Sequence, residues 1–381
     1  MKVYFDNAAT TPIDPVVFEE MKPYMLEHFG NPSSIHSHGR QVRTAIERSR
    51  KKVAELLNAA PAEIFFTSGG TEADNTAIRC TVSEKGIKHI VTSKIEHHAV
   101  LHTVESLSKR GIKVSYVNLD GVGQIDYQHL ENLLQSNPST LVTLMQANNE
   151  IGNLLDVSRV SEMCQEYGAI FHSDTVQSMA HYVHDFSQLK LDFAVGSAHK
   201  FHGPKGIGFL YINHENKIHP FIHGGAQERN MRGGTENVYG IVGLAKAMEL
   251  SYGEMEEHRN HIEVLKTHMI EKLKNTIEGV AFNGVSDTLD HSLYTVLNVC
   301  LPPSSDNDML LFNLDIEGVS VSGGSACSSG SSIGSHVLAQ LNRDQKRGAI
   351  RFSFSKYNTL EEVDYAVDKL ARLYQPEITS A

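Results

Sequence analysis

Apolar and polar positions alternate between two periods along this chain. Val42, Ala45, Ile46, Val53, Ala54, Leu56 and Leu57 recur three and four residues apart, the spacing of one helix face. The run 63–67 (EIFFT) reads as a strand, and 71–82 returns to helical spacing. The exchange then repeats: the pattern predicts strands near 89–92, 113–119, 141–146 and 169–172, with helices near 99–109, 127–134 and 157–167 between them. Segments 191–195 and 207–212 add two further expected strands. Short strands separated by helices imply a mostly parallel sheet covered on both faces.

The stretch 241–277 is long and helical, and reads as a helix pair joining a large domain to a smaller C-terminal one. Short strands are expected beyond it at 295–299 and 350–354, followed by terminal helices. The segment 320–335 (SVSGGSACSSGSSIGS) departs from either period. Eight of its sixteen residues are Ser and four are Gly, so it cannot pack a core and is expected to be a mobile loop.

Composition narrows the function classes. Thirty-four Lys and Arg against 45 Asp and Glu give a net charge of −11, which argues against general nucleic-acid binding or an acidic membrane surface. No window of eighteen apolar residues predicts a membrane span, and the first residues lack a signal-peptide pattern, so a cytoplasmic protein is expected. The four cysteines, at 80, 164, 300 and 327, show neither zinc spacing nor a disulfide framework. Histidine is abundant at 21, yet no HExxH occurs and no metal site is expected.

Several strand ends carry candidate chemistry. Ser68-Gly69-Gly70-Thr71-Glu72 lies where a strand gives way to a helix, so its backbone N–H groups suit a phosphate. On this motif alone, a plain helix cap at Thr71 with Glu72 or Asp74 favouring the dipole is the stronger reading. Lys200, in Gly196-Ser197-Ala198-His199-Lys200, follows another strand among Ser and His donors. A phosphate site beside an imine-forming lysine is the layout of a pyridoxal-phosphate enzyme. That layout demands an acid to hold the proton on the pyridine nitrogen. Asp174 ends the preceding strand, 26 residues earlier, and adjacent strands would bring both to one rim. Gln177 is then placed to reach the phenolic oxygen. His97 suits stacking on a ring or moving protons. Asn148 and Asn149 suit carboxylate binding or loop capping.

The ordered set of motifs resembles a known family. It comprises Tyr4-Phe5-Asp6-Asn7-Ala8-Ala9-Thr10-Thr11-Pro12, Thr67 to Glu72, Glu96-His97-His98-Ala99-Val100, Asn148 to Gly152 and Ser197-Ala198-His199-Lys200. Gly203 to Gly208, Arg232 to Asn237 and Gly324-Ser325-Ala326-Cys327-Ser328 complete it. Together these are similar to cysteine desulfurases of the NifS/IscS type, within the class V aminotransferase family. The resemblance spans nearly the whole chain. It implies the α/β architecture of PLP-dependent transferase fold type I: a large domain over 15–255, and a small α+β domain formed by 1–14 and 256–381 that carries the Cys327 loop.

Roles follow from the resemblance position by position. Lys200 would join the cofactor aldehyde, Asp174 would pair with the pyridine nitrogen, Gln177 would contact the ring hydroxyl, and His97 would stack on the ring. Gly70, Thr71, Ser197 and His199 would hold the phosphate, and Thr235 would reach the phosphate of the other subunit of a homodimer. Asn149 and Arg351 would bind the carboxylate of L-cysteine, Arg351 by its planar fork. Cys327 would take the sulfur as a persulfide and pass it to an iron–sulfur scaffold or a thiolation protein. Two stretches depart from the family pattern: Ser332-Ile333-Gly334, where Leu-Glu-Pro is common, and Asn230, where Gly is common. The competing readings are a selenocysteine lyase, a cysteine-sulfinate desulfinase and an aminotransferase of the same fold. More distant rivals are a non-catalytic scaffold and a histidine-based metallohydrolase.

Overall fold

The computed structural model describes residues 1–323, 334–344 and 346–374; the expectations placed on 324–333, Cys327 among them, lie outside the described residues. Twelve strands and ten α-helices are present among the described residues. The strands are β1 (Val3–Tyr4), β2 (Ile64–Thr67), β3 (His89–Thr92), β4 (Lys113–Tyr116), β5 (Thr140–Thr143), β6 (Ile170–Ser173), β7 (Phe193–Ser197), β8 (Gly208–Ile212), β9 (Ala281–Phe282), β10 (Val296–Pro303), β11 (Val319–Ser320) and β12 (Arg347–Ser353). The helices are α1 (Pro15–Leu26), α2 (Ser37–Leu56), α3 (Gly70–Glu84), α4 (His98–Ser108), α5 (Tyr127–Gln135), α6 (Val157–Glu166), α7 (Val238–Gly253), α8 (Met255–Thr276), α9 (Leu310–Ile316) and α10 (Leu360–Arg372).

Seven strands form the main sheet in the order β2-β8-β7-β6-β5-β3-β4. Pairing is parallel from β7 through β6, β5 and β3 to β4. The exception is β8, which runs antiparallel to both β2 and β7. No α-helix separates β7 from β8, so the chain returns directly instead of crossing over. The interior strands β3, β5, β7 and β8 are buried throughout, as a sheet covered on both faces requires.

The apolar face of α2 is Val42, Ala45, Ile46, Val53 and Ala54, all buried as their spacing predicts. This helix packs on α7, which also packs on α1. The helix α1 went unseen in the sequence: of its apolar residues only Val17 and Met21 are buried. The long helical stretch divides at Glu254 into α7 and α8.

Two hydrophobic cores result. One runs from Val17 to Met248 and includes Phe66, Phe171 and Phe209. The other joins Val3 and Phe5 to Leu265, Met269, Leu297, Phe352 and Val367. The second is built on the antiparallel sheet β12-β10-β9, with β1 beside β11 as a parallel pair. The first residues of the chain thus pack with the last third.

Glu228, Arg229 and Asn230 all adopt left-handed backbone, at φ of 44°, 56° and 67°. This accounts for Asn230 at a position where glycine is common, since Asn tolerates that region best after glycine. Glu228 is held there by a buried fork: its carboxylate takes Arg50 Nη1 and Nη2 at 2.7 and 2.8 Å, and the Phe66 amide at 2.8 Å. No described helix is long and apolar enough to cross a membrane.

Candidate active site

A cavity of about 240 Å³ opens at the carboxyl ends of β6 and β7, the place where open α/β sheets bind ligands. These two strands are parallel neighbours, with His172 opposite Phe193 and Ser173 opposite Ala194. Asp174 leaves β6 one residue beyond its end, and Lys200 closes a short 3-10 turn after β7. Both line the cavity. The strand adjacency expected from the sequence is therefore present.

The anion end is built from α3. Its N-cap is Gly69, at φ 151°, and no side chain caps it. Thr71 is not the cap that the motif alone favoured. Glu72 instead accepts from the Ser68 amide at 3.0 Å and pairs with Arg232 at 3.0 Å. The first-turn N–H groups of α3 are thus left for another acceptor. A Cβ at Gly70 would fall 2.7 Å from Val176 Cγ2, so glycine is required where the helix approaches the cavity. Gly70, Thr71, Ser197 and His199 all line this end. His199 Nδ1 lies 3.2 Å from Thr10 Oγ1. Burial, with the Lys200 and Lys205 charges, pushes its pKa down to about 4, so the imidazole is neutral near pH 7.

At the lysine, Nζ donates to the Ala8 and Ala9 carbonyls at 2.6 and 2.8 Å. Gln177 Nε2 donates to the same Ala8 carbonyl at 3.0 Å. The segment after β1 therefore closes one side of the site. Asp174 Oδ1 accepts from the Val176 amide at 2.9 Å. His97 is the N-cap of α4: its Nδ1 accepts the Ala99 amide at 3.2 Å. A backbone N–H only donates, so the neutral ring carries its proton on Nε2. Burial holds His97 below the usual histidine range, and the charges of Lys200 and His336 reinforce that against Asp174 and Glu150.

Arg351, in β12, lines the cavity although only 2% of it is exposed. Its Nη2 pairs with Asp6 at 2.7 Å and its Nη1 donates to the Asn149 carbonyl at 2.8 Å. Ten expected site residues thus share one cavity. Thr235 does not: it lines a separate recess with Ser68, Gly206 and Arg232. Cys327 lies outside the described residues.

Sequence reasoning missed a buried acidic group behind the cavity. Asp74 lines the cavity and is almost wholly buried, with Oδ1 3.3 Å from His172 Nε2 but not aligned for a hydrogen bond. Burial first, then the charges of Asp174 and Glu96, drive the Asp74 carboxyl far upward. Burial also pushes His172 down to about 3. Burial thus works against the charged form of both groups. Glu96 is pushed up to about 8 by burial, although Ser93 and the Met145 amide donate to it. The available signal was Asp74 itself, an acid four residues into a helix that begins at the cavity. Among the described residues, no group of three His, Cys, Asp or Glu is placed to hold a metal ion.

Comparison with known proteins fits this geometry. The Aminotransferase class-V family model matches residues 3–366. The cysteine desulfurase IscS of Dictyoglomus turgidum is 44% identical over 98% of this chain and 95% of its own length. A putative cysteine desulfurase IscS 1 of Bacillus subtilis is 43% identical over 97% and 98%. A solved NifS-like protein superposes with a TM-score of 0.90 at 40% identity, covering 98% of this chain and 99% of the other. A structure described as SspA in complex with cysteine gives 0.81 at 32% identity, over 94% and 100%. The chain belongs to the class V aminotransferase family, among its cysteine desulfurases of the NifS/IscS type.

Proposed function

We propose that this cysteine desulfurase uses pyridoxal phosphate to take sulfur from L-cysteine, releases L-alanine, and holds the sulfur as a persulfide on Cys327. The observation that carries this reading is the meeting of Lys200, Asp174 and Arg351 with the uncapped N-terminus of α3 in one cavity. The residues fit the cofactor. The open helix end with Thr71, Ser197 and His199 suits its phosphate, Asp174 suits a protonated pyridine nitrogen, Gln177 its phenolic oxygen, and Lys200 its aldehyde. When bound, the protonated ring supplies an electron sink for the substrate α-carbon.

The chain's own groups do the rest. Arg351 and Asn149 seat the substrate carboxylate, which fixes the α-carbon against Lys200. The Lys200 amine takes the α-proton and returns it to the product. His97, pinned by its cap with Nδ1 engaged and its proton on Nε2, would stack on the cofactor ring and donate a hydrogen bond to the substrate sulfur. The Cys327 thiolate attacks the substrate sulfur: an S–S bond forms, the Cβ–S bond breaks, and its electron pair with a proton completes alanine. The other cysteines are poor candidates, since all three are buried. Burial raises the Cys80 thiol to about 11 and Cys164 still further.

The working unit in this reading is a cytoplasmic homodimer, with Thr235 reaching the partner's phosphate. Its position outside its own cavity supports that role, as do the exposed apolar side chains of Phe18, Leu26, Phe29 and Ile35. The two cores support a division into 15–255 against 1–14 with 256–381. The sulfur then passes to an accepting protein, an iron–sulfur scaffold or a thiolation partner.

The test is a visible absorbance spectrum of the purified protein, followed by alanine and sulfide assays on adding L-cysteine. Cys327→Ser is expected to keep the cofactor absorbance and yield no sulfide. Lys200→Ala is expected to lose that absorbance. A protein that stays colourless after incubation with pyridoxal phosphate ends the proposal.

A further inference from the structure

We infer that Asp6 is a positioning residue for the substrate carboxylate: it fixes the Arg351 fork and ties it to Ser322, just beyond β11. The inference rests on the reading of Arg351 as the carboxylate seat. A buried guanidinium is strongly disfavoured without a counter-charge. Asp6 is the acid that meets Arg351, through Nη2 at 2.7 Å, while the Asn149 carbonyl takes Nη1 at 2.8 Å. The Nε–H has no hydrogen-bond partner among the described residues. Two of the five N–H groups are therefore committed to protein, and the rest remain for a ligand.

The same Asp6 oxygen holds a second donor. Ser322 Oγ donates to Asp6 Oδ1 at 2.7 Å. Main chain closes the triangle: the Arg351 amide donates to the Ser322 carbonyl at 2.6 Å, and the Ser322 amide to the Arg351 carbonyl at 3.3 Å. Asp6 itself bridges to Ser353, two residues beyond Arg351. One carboxylate thus pins three chain segments, and Ser322 stands five residues before Cys327 in sequence. A fork clamped this way meets its ligand with its rotamers already chosen, and such pre-organisation appears as affinity.

The experiment measures steady-state constants for L-cysteine and for cysteamine, which lacks the carboxylate. It also measures the affinity for L-alanine from the change it causes in bound-cofactor absorbance. Asp6→Ala is expected to raise the KM for L-cysteine and the Kd for L-alanine at least tenfold. Its kcat should stay within about threefold of the parent enzyme, and cysteamine should show no change. Asp6→Asn, which keeps the hydrogen-bond acceptor but not the counter-charge, is expected to recover part of the loss, and it covers the case in which the alanine variant does not fold. In an Arg351→Lys background, Asp6→Ala should add less than twofold. Equal losses on cysteine and cysteamine, or full additivity with Arg351→Lys, overturn the role of Asp6. A raised KM in Arg351→Lys beside a normal KM in Asp6→Ala overturns Asp6 alone. An unaltered KM in Arg351→Lys overturns the carboxylate seat and this inference together.

Discussion

His97 carries two duties at once, and they separate by mutation. Its Nδ1 caps α4 while its ring lies at the cavity. His97→Ala removes both functions, and loss of the cap costs about 1 kcal/mol. His97→Ser keeps a capping oxygen. Both variants are expected to lose desulfurase activity, and thermal melting should show a lowered midpoint in the alanine variant only. Other histidines set the response to acid. Burial holds His181, His184 and His202 at about 4 and His172 at about 3. Their folded pKa values lie below those of the unfolded chain, so the stability they contribute is present above about pH 6.5 and is lost as pH falls toward 4. Glu96 opposes them: its folded pKa is raised to about 8, so its contribution is lost as pH rises from about 4.5 to 8. Asp74 acts in the same sense as Glu96, but four imidazoles outweigh two carboxyls, and the denaturant midpoint is expected to drop between pH 6.5 and 4. An unchanged midpoint at pH 5 would contradict this assignment. At this scale Lys200 and Asp174 were legible because motif and strand end coincide. Asp74 was not, because a helix-turn acid looks the same in sequence whether it faces water or a cavity.

Among elements, the contact most exposed to test is the fork between Arg50 of α2 and Glu228. Both side chains are 2% exposed. The fork also engages the Ile64 carbonyl and the Phe66 amide of β2. Removing one partner of such a buried pair strands the other charge. Arg50→Met is therefore expected to cost about 3–5 kcal/mol, read from denaturant melts. The element pattern was readable where burial is one-sided or complete, as in α2 and β3. It failed at α1, whose exposed face carries Val16, Phe18 and Leu26 and so blurs the helical contrast. The antiparallel setting of β8 was implicit in the absence of a helix after β7. The short strands β1, β9 and β11, two residues each, carry no period at all and are defined only by their distant partners.

At the scale of the molecule, the site lies between two cores and is owned by neither. The loop after β5 shows how they join. Gly152 and Leu293 share a backbone hydrogen bond of 2.7 Å, Asn298 Nδ2 donates to the Glu150 carbonyl at 2.9 Å, and Arg351 reaches Asn149. The residues that line the cavity thus hang from both cores, which strand-by-strand reading cannot reveal. Sequence alone placed Arg351 only through resemblance, because nothing local distinguishes it from other strand arginines. Residues 5–9 add a further link between the cores. Asn7 donates to the carbonyl of Ser353, 346 residues away in sequence, and Ala8 and Ala9 hold Lys200, so one short segment links β12 to the lysine. Loss of β12 would therefore strip the segment 5–9 of its anchor and open one wall of the cavity, even though every residue of the main sheet remained.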